Sequence, residues 1–250
     1  MILFTLEGVP SCFLIYLLFK KYMGRKKMVR FANNKDAVNV IQEGKDLFCS
    51  IKGNWGSSYF KNDNPIVLEL ACGYGEYTIG LAIKNPGKNY VGVDIKGDRI
   101  AVGSGQANKM GLNNVAFLRI NIHFLLKYFD KGEVSELWIT FPDPFKINSN
   151  PARRLTHSKF LMLYSQILRN NHKFFIKTDS LELYDFSINV LVGYGVRELN
   201  TTSDYYNSDL YDSKNNFITR FEEIFSGRGN SIKFIECVLK LDNTPNELSS

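Results

Sequence analysis

The sequence predicts an α/β protein built on a doubly wound, mostly parallel, seven-stranded sheet with helices on both faces. Two observations carry that expectation. From about residue 64, seven short runs rich in β-branched and aromatic residues are interleaved with longer amphipathic stretches. The first of these runs leads straight into a glycine turn and then a helical pattern.

In chain order, IVLEL (Ile66 to Leu70) reads as a buried strand, followed by a helix from about Tyr74 to Lys84. YVGVD (Tyr90 to Asp94) is the second strand, and Asp98 to Met110 a helix stopped by Gly111. VAFLRI (Val115 to Ile120) and LWITF (Leu137 to Phe141) are the third and fourth strands. A helix from about His157 to Arg169 precedes the fifth, KFFIK (Lys173 to Lys177). Leu181 to Val192 is helical, Gly195 to Leu199 a sixth strand and Ile232 to Lys240 the last. The polar stretch Thr201 to Asn216 reads as a surface loop. In such sheets ligands bind beyond the carboxyl ends of the strands, so the residues just after each strand are where chemistry is expected.

With 250 residues, 44% hydrophobic and 22% charged, the chain is neither a disordered tail nor a repeat array. Its longest wholly apolar run, Cys12 to Phe19, has eight residues, against roughly 20 for a bilayer-spanning helix. Four scattered cysteines without a C-x-x-C pair disfavour a disulfide scaffold and a zinc module, so no metal is expected. Thirty-one Lys and Arg against 25 Asp and Glu give a net charge of +6, compatible with a polyanionic partner. At the amino terminus the first charge is Glu7, and the basic cluster Lys20, Lys21, Arg25, Lys26 and Lys27 follows the apolar run, the reverse of a secretory signal. The expectation is a start at Met23 or Met28, with residues 1–22 an extension, 23–240 the working domain and 241–250 a flexible tail.

The first candidate site is Glu69-Leu-Ala-Cys-Gly73-Tyr-Gly75-Glu-Tyr-Thr78. Gly73 and Gly75 permit the positive φ and close backbone approach that a nucleotide-like ligand needs over a strand–helix turn. The dinucleotide fingerprint G-x-G-x-x-G would place a third glycine at Thr78. Glu69, four residues before Gly73, puts a negative charge where no pyrophosphate wants one; a sulfonium and amino-acid end would tolerate it. Asp94 closes the second strand 21 residues after Gly73, a spacing suited to a ribose diol. The set favours S-adenosylmethionine over NAD. Asn121, after the third strand, could bind adenine through its amide or cap the next segment.

The second is Phe141-Pro-Asp143-Pro-Phe145-Lys146, where two prolines fix the backbone around an acid at the sheet edge. Arg153 and Arg154 follow on the same loop and are candidates for RNA phosphate contacts. Strand five ends in Lys177-Thr-Asp179, and Thr219-Arg220-Phe221-Glu222 precedes the last strand, reading locally as a helix start.

Taken in order, E-x-x-x-G-x-G, Asp94, FPDP with its basic stretch, K-T-D and T-R-F-E resemble the bacterial tRNA (guanine-N7-)-methyltransferase family over about Met23 to Lys240. The resemblance implies a class I, Rossmann-like methyltransferase fold with an antiparallel last strand. It also implies a cytoplasmic enzyme, expected to be monomeric, that methylates guanosine 46 of tRNA from S-adenosylmethionine. By the same resemblance, Glu69, Gly73, Gly75, Asp94, Asn121 and Asp143 contact the cofactor, and Asp143 is also the catalytic acid. Lys146, Asp179, Thr219, Arg220, Phe221 and Glu222 meet the substrate. Three positions depart from the pattern: Ala71 stands where the family has a glycine, Asn121 where it has an acid, and Phe145 where tryptophan is commoner. A methyltransferase of small molecules or proteins would share the cofactor motif, and a non-catalytic RNA-binding relative would keep the basic loop.

Overall fold

The computed structural model describes residues 27–145, 150–227 and 229–241. The expected amino-terminal extension and all of the expected tail except Leu241 lie outside them. Among the described residues, no helix is long and apolar enough to cross a membrane.

The helices are α1 (Lys27–Asp36), α2 (Glu76–Lys84), α3 (Gly97–Lys109), α4 (Ser158–Ser165), α5 (Leu181–Tyr194) and α6 (Arg220–Ser226). The strands are β1 (Val40–Ile41), β2 (Ile66–Leu70), β3 (Asn89–Asp94), β4 (Val115–Arg119), β5 (Val134–Thr140), β6 (Leu168–Thr178), β7 (Arg197–Thr202) and β8 (Lys233–Val238). They form one sheet in the order β1-β4-β3-β2-β5-β6-β8-β7. β8 runs antiparallel to both neighbours, and every other pairing is parallel.

Period-two alternation distributes the core. Ile66, Leu68 and Leu70 of β2 pack with Phe160, Tyr164 and Leu191 of α4 and α5, whereas Val67 packs with Tyr77, Ile79 and Phe117 on the side of α2 and α3. The chain winds from β2 through β3 to β4 on one side, then restarts at β5 on the other. The switch therefore falls between β2 and β5, and it sets where the ligand crevice opens.

Three expectations are adjusted. The sheet has eight strands, because Val40 and Ile41 pair with Phe117 and Leu118 at its edge. The helix expected to reach Arg169 ends at Ser165, and β6 begins at Leu168, which pairs with Val134 across an irregularity in the ladder. The 201–216 stretch is anchored rather than simply superficial. Tyr205 is buried with its ring 4.4 Å from that of Phe234, and the carbonyl of Asn215 accepts from Tyr77 Oη at 2.9 Å.

Candidate active site

Residues at the carboxyl ends of β2, β3 and β5 form the floor of the crevice. Glu69 is buried near the end of β2. Its Oε2 accepts from the Thr78 amide at 2.9 Å and from the Thr78 hydroxyl, and its Oε1 accepts from Thr140 Oγ1 at 2.6 Å. Burial pushes its carboxyl up to about 7 despite those three bonds. Asp94 fixes the glycine loop: Oδ2 accepts from the Gly73 amide at 2.9 Å, and Oδ1 from Lys96 at 2.8 Å. Gly73 has φ +57 with open space around its absent Cβ, so a ligand can approach the backbone there. Gly75, φ +70, precedes α2, and a Cβ on it would stand 2.4 Å from Phe117 Cε1. Ala71 also adopts the left-handed region, φ +56, the conformation that favours a glycine.

Asn121 takes the capping role, accepting from His123 N–H at 3.1 Å through Oδ1, while its exposed side chain lines the crevice. Its Nδ2 has no hydrogen bond to a described residue. Asp143 is exposed between Pro142 and Pro144, flanked by Phe141 and Phe145 at φ +47 and +40. The Phe141 amide donates to the Lys177 carbonyl at 2.8 Å, tying the turn to β6.

The crevice has two chambers. One, about 340 Å³, is lined by Asp94, Ile95, Asn121, His123, Arg153 and Phe160 among others. The other, about 440 Å³, is lined by Glu69, Gly73, Tyr74, Thr219, Arg220 and Phe221 among others. Ala71, Arg99, Phe141 and Asp143 line both, so Asp143 stands at their junction. Two acids at strand ends, an open glycine backbone and a second acid-lined chamber suit a ligand with a ribose at one end and cationic groups at the other.

A family model described as "Putative methyltransferase" matches residues 63–235. The tRNA (guanine-N(7)-)-methyltransferase of Christiangramia forsetii is 40% identical over 224 residues, 87% of this chain and all of that protein. The enzyme of the same name from Cytophaga hutchinsonii is 38% identical over 216 residues, 86% of this chain and 97% of that protein. The chain belongs to the tRNA (guanine-N7-)-methyltransferase family. Its fold is that of the class I methyltransferases: the 16S rRNA methyltransferase KamB superposes with a TM-score of 0.53 at 16% identity, over 81% of this chain and 99% of that one.

Two residues expected to meet the substrate of such a methyltransferase are held elsewhere. Arg154 is buried; its guanidinium donates to the carbonyls of Pro144 at 2.8 Å and Phe145 at 2.7 Å, ion-pairs with Glu182, and lies 4.5 Å from the Phe186 ring centre. It ties the Asp143 turn to α5. Glu222 is fully buried, its carboxylate 2.9 and 3.1 Å from Lys177 Nζ and accepting from the Tyr206 hydroxyl. Glu222 and Thr219 also form a reciprocal capping box at the start of α6: Thr219 Oγ1 accepts from the Glu222 amide at 3.2 Å, and Glu222 Oε2 accepts from the Thr219 amide at 3.4 Å. T-R-F-E thus builds a helix start, leaving Thr219, Arg220 and Phe221 on the chamber wall. Arg153 is exposed, 4.4 Å from the Phe145 ring centre, and lines the first chamber. Asp179 is half-buried beyond β6 and lines neither chamber; its carbonyl accepts from Lys233 Nζ at 3.1 Å. Lys146 falls outside the described residues.

Sequence reasoning misses four contributors. Thr78, read only as a missing glycine, and Thr140 hold Glu69; Arg99 lines both chambers; Lys177 organises α6. Lys177 is buried beside Asn216 Oδ1, at 2.6 Å, and within 5.3 Å of the Tyr77 and Tyr205 ring centres. Burial pushes its ammonium down from the usual lysine value, and Glu222 pulls it back. The one signal for it in the sequence is a lysine that closes the apolar run Phe174 to Ile176.

Proposed function

We propose that this protein transfers a methyl group from S-adenosylmethionine to N7 of a guanine in tRNA, guanosine 46 of the variable loop, in the cytoplasm where tRNA is found. The carrying observation is Asp143: an exposed carboxylate on a doubly constrained turn, at the junction of a chamber that suits a cofactor's ribose and one that suits its amino-acid end. The names of the related enzymes support the same substrate.

Glu69, Asp94, Asn121 and the open backbone at Gly73 would hold the cofactor, which supplies a methyl group on a sulfonium, the sulfur leaving as a neutral thioether. Guanine N7 has a lone pair and no proton, so this chain needs no general base. Its work is to aim the base and to stabilise the positive charge that the purine acquires. Asp143 meets that charge, and the turn's rigidity fixes its position in advance. Arg153 holds a phosphate at the rim. N7 faces the deep groove of an A-form helix, which side chains cannot enter, so the base arrives from a loop or is extruded.

The test is incubation of purified protein with labelled cofactor and tRNA, followed by mass-spectrometric nucleoside analysis. N7-methylguanosine on tRNA, absent from a transcript with guanosine 46 replaced, supports the proposal. Cofactor binding without tRNA methylation removes the substrate half, and methylation persisting in the replaced transcript removes the position.

A further inference from the structure

Arg99 is a cation in the crevice whose guanidinium has no carboxylate partner among the described residues. It stands in the first turn of α3, half-buried, with its guanidinium 5.7 Å from the centre of the Tyr74 ring, so its side chain reaches from α3 to the glycine loop. No hydrogen bond or ion pair joins its guanidinium to a described residue. It lines both chambers.

The second chamber has acids in excess: Glu69, Glu76 and Asp143. Its other cation, Arg220, lies beside Glu76. The Arg220 amide donates to Glu76 Oε2 at 2.7 Å, and its charge opposes the burial that raises the Glu76 carboxyl. A ligand end carrying both an ammonium and a carboxylate finds partners there for the first charge but needs a donor for the second. The glycine loop offers little. Cys72 N–H donates to the Val93 carbonyl at 3.1 Å, Gly73 N–H to Asp94 at 2.9 Å and Gly75 N–H to the Cys72 carbonyl at 2.8 Å. Of the 72–75 amides only that of Tyr74 is without a partner among the described residues, so the loop is not the ring of convergent amides that binds anions elsewhere.

We propose that Arg99 binds the carboxylate of the methyl donor's amino-acid end; this rests on reading the crevice as an S-adenosylmethionine site. A guanidinium presents paired donors that match a carboxylate. Arg99 is the cation placed to do so while Glu69 and Glu76 face the ammonium. The same residue would then bind the spent cofactor, which keeps the carboxylate.

Calorimetric titration tests this with two ligands: S-adenosylhomocysteine, and 5′-methylthioadenosine, which keeps the adenosine and thioether and lacks the amino-acid end. Arg99→Met retains a stem over Tyr74 and removes the charge. It should weaken S-adenosylhomocysteine by about tenfold to a hundredfold and leave methylthioadenosine within about twofold, with Arg99→Lys recovering part of the loss. Equal losses on both ligands would overturn the proposal, because Arg99 would then act at the adenosine end or through the loop. No loss on either would also overturn it and leave the cation to another anion, such as a tRNA phosphate. If the unsubstituted protein binds neither ligand, the reading of the crevice fails as well; if it binds both and Arg99→Met changes nothing, only the role of Arg99 fails.

Discussion

Glu69 makes the stability of the ligand-free protein depend on pH in a direction opposite to that of an ordinary paired carboxylate. Its carboxyl ionises near 4.5 in the unfolded chain and is pushed up to about 7 in the folded one, with burial as the main cause. Below pH 4.5 both states hold the proton. Between 4.5 and about 7 the folded state keeps a proton that the unfolded state has released, so the stability present in acid is lost as pH rises. At about 1.4 kcal/mol per unit, the displacement amounts to about 3 kcal/mol by pH 8. Glu69→Gln has the shape of the protonated acid: its carbonyl oxygen can accept from Thr78, and Thr140 can turn its hydroxyl to accept from the amide. Melting temperatures of both proteins should therefore converge below about pH 4.5 and separate as pH rises, the glutamine variant melting higher at pH 8. Glu76, also raised by burial, is present in both proteins, and its charge adds to the raising of the Glu69 carboxyl. S-adenosylhomocysteine should bind the unsubstituted protein more tightly as pH rises through about 7, as the ionised carboxylate becomes available, and bind the variant weakly with no such dependence. Parallel melting curves across pH 5 to pH 8.5 would refute the reasoning.

Four further outcomes follow from the same geometry. Asp143→Asn should lower kcat by about 10²- to 10³-fold with an unchanged melting temperature, since the side chain is exposed and, on the proposed function, its charge answers that of the methylated base. Ala71→Gly should stabilise by about 0.5–1 kcal/mol in denaturant titration: it relieves roughly 1–2 kcal/mol of left-handed strain at φ +56, less the added freedom of the unfolded chain. Lys177→Met should destabilise by about 3–5 kcal/mol, because Glu222 would remain buried without its counter-ion. Adjacent arginines should separate cleanly: Arg154→Ala should cost about 2–3 kcal/mol of stability, whereas Arg153→Ala should leave stability unchanged and flatten the salt dependence of tRNA affinity by about one unit of slope.

The sheet was legible where strands are long enough to show a pattern. IVLEL is recovered to the residue because both its faces are buried and turns bound it. β1 was not legible: two residues carry no periodicity, and Val40 and Ile41 become a strand only because β4 lies alongside. The start of α2 was misplaced by two residues because Gly75 stays left-handed just before it. In the crevice, the acids at the ends of β2 and β3 were readable because strand ends are where a doubly wound sheet opens. What binds those acids was not. Glu222 and Lys177 are 45 residues apart, and only the register of β6 against β8 and the docking of the 203–219 segment bring them together. Arg154 and Arg153 look equivalent as sequence. A single 3₁₀ turn over Pro151–Arg153 sends one inward to Glu182 and leaves the other on the rim.

Three acids of the crevice, Asp94, Glu69 and Asp143, and Glu222 buried behind its wall differ in what already holds them. Asp94 receives two amides and so sets the glycine loop, offering a ligand only its remaining lone pairs. Glu69 receives three donors in a buried setting that raises its carboxyl to about 7. Glu222 is neutralised by Lys177 and gives its amide and carboxylate to the start of α6. For any of these, turning toward a substrate would break bonds worth about 1–3 kcal/mol apiece in a buried setting, a cost set against catalysis. Asp143 has no bond to a described residue and is exposed, yet its backbone is fixed by two prolines and by the Phe141 link to β6. It is the one acid of the four that can meet a developing positive charge without first abandoning a partner. Rigidity in the main chain with freedom in the carboxylate is what a stabilising group requires when the charge it answers exists only during the reaction.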